Sequence, residues 1–289
     1  MIRLQTQEFQ AVGGYIHTLC SLSLDVSKTY LIENRLGPIA EELRCGSYLE
    51  LVQRARQDGS GALQRRIINE ITTRETLFFR DSAPFELLRY KLIPELVDRR
   101  SKTSGPIPIR IWSAACSSGQ ELYSVAIALK ETLGDLGKYK IRLLGTDISD
   151  AAVASASEGI FNDVEISRGL SDASLNRYFV RAEKGWRIRD ELRAMACFRK
   201  LNLVQDFTSV GTFDIVFCRN VAIYFNEPDK ISLFTRIGQR LERDGQLIIG
   251  SMESLNGLCP QFDSKRHLRG VYYELKQESL AVKASNYRQ

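Results

Sequence analysis

The sequence predicts an α/β protein: a doubly wound, mostly parallel sheet that follows a small all-helical N-terminal domain and carries a small β insertion. Three observations predict it. Residues 1–72 show helical periodicity and no strand signal. From residue 106 onward, short apolar runs alternate with amphipathic helices. Residues 179–201 interrupt that alternation with a stretch of period two.

In the N-terminal region, Leu31, Ile32, Leu36, Ile39, Ala40 and Leu43 recur at the spacing of one helix face, with Asp25 or Ser27 as an N-cap. Residues 48–55 have the same character and end in the turn Asp58-Gly59-Ser60-Gly61, after which residues 62–71 form another helix. These elements are assigned to a domain of residues 1–72. Residues 73–105 read as a helical connector that contributes to a ligand site, with Pro84 at an early helix position and an apolar stripe over 85–93. The stretch Lys102-Thr-Ser-Gly-Pro-Ile-Pro then breaks the helix. The α/β domain is assigned to 106–280. Its expected strands are 109–116, 141–147, 213–218, 246–250 and 271–275, and its expected helices are 120–133, 151–157 and 228–241. Repeated β-α-β units call for parallel strands joined by right-handed crossovers. Trp186-Arg-Ile-Arg marks the β-rich insertion at 179–201.

Composition excludes several classes. Hydrophobic residues make up 44% of the 289 and charged residues 26%, the balance of an ordinary globular protein. No apolar run approaches the roughly 18 residues of a membrane span. The first residues lack the apolar core of a secretory signal, so a cytoplasmic location and no membrane insertion are expected. The six cysteines are scattered singly, without a Cys-x-x-Cys pair, so no metal site is expected. The net charge of +5 is spread among both signs, which argues against nucleic acid as a partner. Only two histidines are present, His17 and His267, so chemistry that needs a histidine base is poorly supplied.

In an open α/β sheet, ligands bind outside the carboxyl ends of the strands. Three such ends carry conspicuous residues. The first is the turn Ala114-Ala115-Cys116-Ser117-Ser118-Gly119-Gln120-Glu121, whose small residues let the backbone approach a ligand. The second is Asp147, placed to accept hydrogen bonds from the two hydroxyls of a ribose. The third is Cys218-Arg219-Asn220. A dinucleotide site wants Gly-x-Gly-x-x-Gly, and here only Gly119 stands in the turn. A ligand with one nucleoside and no phosphates fits better. A plain strand-to-helix turn, with Asp147 capping the next helix, is the structural alternative.

Four longer blocks carry a resemblance. They are Ile71-Thr-Thr-Arg-Glu-Thr-Leu-Phe-Phe-Arg-Asp, Trp112-Ser-Ala-Ala-Cys-Ser-Ser-Gly-Gln-Glu-Leu-Tyr-Ser, Gly145-Thr-Asp-Ile-Ser and Phe213-Asp-Ile-Val-Phe-Cys-Arg-Asn-Val-Ala-Ile-Tyr-Phe. In this order they resemble the signature blocks of the CheR chemoreceptor glutamate O-methyltransferases. Glu158-Gly-Ile-Phe, Leu201-Asn-Leu and Gly250-Ser-Met-Glu-Ser-Leu are weaker echoes.

The resemblance implies a Rossmann-like methyltransferase fold, S-adenosylmethionine as donor, S-adenosylhomocysteine as product, and γ-carboxylates on the cytoplasmic helices of a methyl-accepting chemoreceptor as acceptors. It implies cofactor contacts from Arg74, Thr76, Arg80, Glu121, Asp147, Asn202, Leu203, Arg219 and Asn220. Asp147 would hold the ribose, Glu121 and the connector the amino-acid end, and Asn202 and Leu203 would lie near the adenine. Arg80 and Tyr224 would act at the transferring methyl. Arg74 stands where the family usually has asparagine, Gln120 where an acid is common, and Ser251 where histidine is frequent. The insertion looks shorter than in members that dock on a receptor's C-terminal pentapeptide, so no such tether is expected. Two other readings use the same residues: a cofactor-binding regulatory module without activity, or a methyltransferase acting on a different protein. A nucleic-acid adenine methyltransferase would favour Asn/Asp-Pro-Pro-Tyr/Phe where Arg219-Asn220-Val221 stand.

Overall fold

Four helices lead the chain: α1 (Thr6–Cys20), α2 (Thr29–Glu42), α3 (Tyr48–Gln57) and α4 (Ala62–Ile71). The computed structural model describes residues 2–102 and 104–276, so positions 277–280 of the expected α/β domain lie outside the described residues. Asp25 accepts from the Ser27 amide and starts the short turn that feeds α2, while Ser47 caps α3. Ile32, Leu36, Ile39 and Ala40 are buried in a core of their own with residues of α1, α3 and α4. Leu31, one position off that stripe, lines a cleft instead.

The chain then runs without regular structure to α5 (Ser82–Leu87), a π-helical turn (Leu88–Leu92) and α6 (Ile93–Arg100). The wide turn lies just before Pro94, whose nitrogen cannot donate the α-helical bond. Phe78, Phe85, Leu88 and Leu92 are buried against the sheet, so this connector packs as part of the α/β core. Its end is tied down by charge. Asp214, 1% exposed, accepts from the Arg110 amide at 2.7 Å and pairs with both Arg100 and Arg110.

The α/β region comprises β1 (Ile107–Ala114), α7 (Gln120–Leu133), β2 (Tyr139–Asp147), α8 (Asp150–Glu158), β3 (Ile160–Phe161), α9 (Asp163–Ser167), α10 (Asp172–Tyr178), β4 (Phe179–Ala182), β5 (Gly185–Ile188) and α11 (Asp190–Arg193). Beyond these come β6 (Ala196–Lys200), β7 (Phe213–Cys218), α12 (Glu227–Arg240), β8 (Leu241–Ile249), β9 (Phe262–His267) and β10 (Gly270–Leu275). Seven strands form one sheet in the order β6-β2-β1-β7-β8-β10-β9. The first five are parallel and the last two antiparallel, which bears out the doubly wound, mostly parallel expectation. Ile109 and Ile111 of β1 pack into one core while Trp112 and Ala114 pack into another. Burial on both faces explains why β1, β2 and β7 read as apolar runs.

Strand order reverses between β1 and β7. The chain builds outward from β1 to β2 and β6, then returns to lay β7 on the other side of β1. This is the topological switch point, where the crevice of a doubly wound sheet opens.

Two strands differ from the sequence expectation. Residues 196–200, assigned above to the β insertion, are β6, the edge strand beside β2 in the large sheet. The insertion proper is the three-stranded sheet β3-β5-β4, which begins already at Ile160. Gly185 is required there: at φ 131°, an added Cβ would lie 2.2 Å from the Phe161 carbonyl. The second unexpected strand, β9, is an edge strand carrying Asp263, Lys265 and Arg266. Charges of that kind protect a sheet edge and also hide the strand from pattern reading.

Candidate active site

The turn after β1 is strained. Ala115, Ser117 and Gly119 have φ of 60°, 50° and 95°, so two non-glycine residues out of five sit in the left-handed region. Such strain persists where surrounding structure over-determines it, and it concentrates at ligand sites. The restraints are visible: the Cys116 amide donates to the Thr146 carbonyl at 2.9 Å, and the Ser117 amide to Asp147 Oδ2 at 2.9 Å. The Ser117 hydroxyl donates to the Arg74 carbonyl, which draws the connector onto the turn.

Asp147 closes β2 and is 9% exposed. Its Oδ1 accepts from the Ser149 amide at 2.9 Å, but it does not cap α8; Ser149 does, through its own hydroxyl. The capping alternative is therefore removed, and the carboxylate edge that these amides leave lines the cleft. Burial pushes its carboxyl above the ordinary range, against the opposing pull of the Ser149, Ser117 and Ile148 amides and of Arg74. Burial likewise raises the Cys116 thiol far up, which keeps it protonated and unsuited to act as a nucleophile.

Arg219, just past β7, gathers three segments. Its side chain is 2% exposed. Nη1 donates to Glu121 Oε2 at 2.9 Å; Nη2 donates to Asp81 Oδ2 at 2.9 Å and to the Arg80 carbonyl at 2.7 Å. The other oxygen of Glu121 accepts from the Ser113 hydroxyl at 2.8 Å. A buried cation flanked by two carboxylates is compensated electrostatically, and removing Glu121, the more buried of the two, would leave much of that charge uncompensated. Asp81 and Phe79 themselves hold left-handed φ of 57° and 50°.

The remaining expected residues complete the walls. Asn202 donates from Nδ2 to the Leu19 carbonyl at 2.8 Å, and its Oδ1 accepts from the Val204 amide, so its amide ties the cleft to α1. Leu203 is a buried apolar neighbour. Arg80 donates from Nη1 to the Glu75 carbonyl at 3.2 Å, and among the described residues no carboxylate pairs with it. Tyr224 is 38% exposed, and its carbonyl accepts from the Ser23 amide.

Arg74, Thr76, Arg80, Glu121, Asp147, Asn202, Leu203, Arg219, Asn220 and Tyr224 all line one cleft of about 330 Å³. That volume falls in the range of about 300–1,000 Å³ typical of small-molecule pockets. The opposite wall comes from the helical region: Leu22, Leu24, Tyr30 and Leu31. None of these belongs to a motif, and sequence reading missed them. It also missed Asp81, although that residue lies inside a quoted block.

A mostly parallel sheet with a small-residue turn at the switch point and an acid ending the second strand defines a nucleoside-binding α/β protein, the class to which S-adenosylmethionine-dependent methyltransferases belong. The family described as "CheR methyltransferase, SAM binding domain" matches residues 74–269, and "CheR methyltransferase, all-alpha domain" matches residues 7–72. The chain belongs to the CheR methyltransferase family. It is 37% identical over 273 residues to "Chemotaxis protein methyltransferase Cher2" of Pseudomonas putida, covering 93% of this chain and 98% of that one. It is 38% identical over 274 residues to "Chemotaxis protein methyltransferase 1" of Pseudomonas aeruginosa, again 93% and 98%. A Vibrio parahaemolyticus "Chemotaxis protein methyltransferase" is 34% identical over 280 residues, 95% of this chain and 99% of that one. The resemblance read from the four blocks, the methyltransferase class and the cofactor are thereby borne out.

Proposed function

We propose that this protein methylates glutamate γ-carboxylates on the cytoplasmic helices of a chemoreceptor, forming glutamyl methyl esters in sensory adaptation. One observation carries the reading: the cleft is lined by both the strand-end acid Asp147 and a guanidinium, Arg80, that has no carboxylate partner among the described residues, and no described histidine lines it. The names of the relatives, all chemotaxis protein methyltransferases, support it.

The residues present fit S-adenosylmethionine. Asp147 would accept from the ribose hydroxyls, the turn 115–119 would admit the nucleoside closely, and Leu203 would lie against the adenine. Glu121 and Arg219, with the connector, would shape the amino-acid end. When bound, S-adenosylmethionine supplies a methyl group made electrophilic by its sulfonium.

Glutamate has a reference pKa near 4.3, so the acceptor arrives as an anion and needs no general base. The chain's task is alignment, and holding reactants in line supplies roughly 7–11 kcal/mol of a barrier. Arg80 would grip one carboxylate oxygen with its planar fork and leave the other free to attack. Tyr224 would hydrogen-bond the acceptor and shield the site from water. Exclusion of water favours a step in which anion and cation neutralise each other. Tyr30 and Tyr224, both exposed, flank the cleft with apolar surface suited to a protein acceptor.

We place the reaction in the cytoplasm, where the acceptor helices lie. Among the described residues no helix is long and apolar enough to cross a membrane. Docking without a receptor pentapeptide is supported by the short hairpin of β4 and β5, four residues each and joined by Glu183-Lys184.

The acceptor chemistry has a direct test. Methyl-labelled S-adenosylmethionine, incubated with the protein and receptor-bearing membranes, should label a receptor, and mild base should release the label as methanol. Label that survives base would rule out a carboxylate acceptor.

A further inference from the structure

We infer that Glu253 is a positioning residue for methyl transfer: its carboxylate holds the loop 219–224 against the turn that follows β8. The inference rests on the methyl-transfer reading above.

The parallel ladder of β7 and β8 ends at the pair Cys218–Ile249. Beyond it the ladder makes no further pair, so the next amides lack sheet partners. Glu253 replaces those partners. Its Oε2 accepts from the Asn220 amide at 2.8 Å and from the Gly250 amide at 2.7 Å. One side chain thus joins an amide past β7, at the start of the loop that carries Tyr224, to an amide past β8.

The packing leaves this arrangement no slack. A Cβ added to Gly250 would lie 2.5 Å from Glu253 Oε2 and 2.9 Å from Asn220 Nδ2. Asn220 turns the chain at a left-handed φ of 57°, a conformation asparagine tolerates better than other residues with side chains, and the Glu253 carboxylate holds the amide of that turn. Glu253 Oε1 is buried and has no hydrogen-bond partner among the described residues. An orphaned buried oxygen is uncommon and calls for an explanation. The explanation is that the group is kept for what Oε2 does. Glu253 is absent from the cleft lining, whereas Arg219, Asn220 and Tyr224 are in it, so it acts through them.

The test measures kcat and KM for receptor methylation, S-adenosylhomocysteine affinity and thermal unfolding in the full chain. Glu253→Ala should lower kcat by about tenfold to a hundredfold, because small displacements of aligned groups have effects of that size. Cofactor affinity should fall by clearly less than kcat does, since the same loop also carries the cofactor contacts Arg219 and Asn220. Glu253→Gln keeps one acceptor oxygen for the same amides and should return kcat to within about fivefold of wild type. Unchanged kcat in Glu253→Ala, parallel loss of kcat and affinity, or a glutamine variant no better than alanine would each overturn the inference. Should Glu253→Ala fail to fold, Gly250→Ala crowds the same carboxylate; it should show a loss larger in kcat than in cofactor affinity, and normal kcat there would overturn the inference. A wild-type protein that labels no receptor counts against the acceptor reading and against this inference with it. Full wild-type labelling beside an undiminished Glu253→Ala counts against this inference alone.

Discussion

Replacing Asp147 with alanine is expected to weaken S-adenosylmethionine binding by at least about tenfold, and by about a hundredfold if both ribose hydroxyls are held. Hydrogen bonds to a charged acceptor contribute roughly 1.5–3 kcal/mol each, and about 1.4 kcal/mol is a factor of ten. Alanine also strips the Ser117 and Ser149 amides of their acceptor, so the turn would loosen as well. Asp147→Asn separates the two effects, because its amide oxygen still accepts from one of them. The carboxyl's raised pKa gives the effect a pH signature. Burial favours its protonated form, and protonation removes the charge that the ribose hydroxyls need. Affinity should therefore be flat near neutrality and fall on acidification, with a midpoint above the roughly 3.9 of a free aspartate. The asparagine variant should lose that midpoint. Calorimetry that finds Asp147→Ala binding unchanged would remove this acid from the site.

Arg80→Ala should behave in a different way. Arg80 spends one hydrogen bond on the Glu75 carbonyl and, among the described residues, pairs with no acid, while Asp81 is taken by Arg219. Its guanidinium is thus available to an incoming carboxylate. The expected loss is about a hundredfold in kcat/KM, the scale of a misplaced acceptor. Cofactor affinity should fall by less than about threefold. Lysine at this position should recover only part of the rate, since an ammonium cannot grip a carboxylate as a fork does. Equal losses in affinity and turnover would make Arg80 a binding residue and nothing more.

The contrast between these side chains and the rest of the cleft shows what pattern reading can reach. Strands β1, β2 and β7 were legible because burial on both faces makes them apolar throughout, and the residues past their ends stand out by chemistry. Asp147 and Arg219 follow from that logic before any contact is known. Edge strands are less legible: β6 buries none of Ala196 to Lys200 fully, and β9 carries charges across its length. A strand that is half solvated and charged looks like a loop. The second wall of the cleft was out of reach for another reason. Asn202 meets Leu19 across 183 positions of sequence, and nothing local in either segment announces that contact. Glu253 lay within a quoted block, yet its role depends on where a β ladder stops, which only the paired strands reveal.

The central claim is that one cleft at the switch point grips a sulfonium nucleoside by its ribose and turns the methyl toward Arg80 and Tyr224. A crystal structure of the complex with S-adenosylhomocysteine tests it most directly. The account predicts both ribose hydroxyls within about 2.5–3.0 Å of the Asp147 carboxylate, with the sulfur directed at the Arg80 side of the cleft. A nucleoside bound elsewhere, or a sulfur facing away from Arg80, would contradict it.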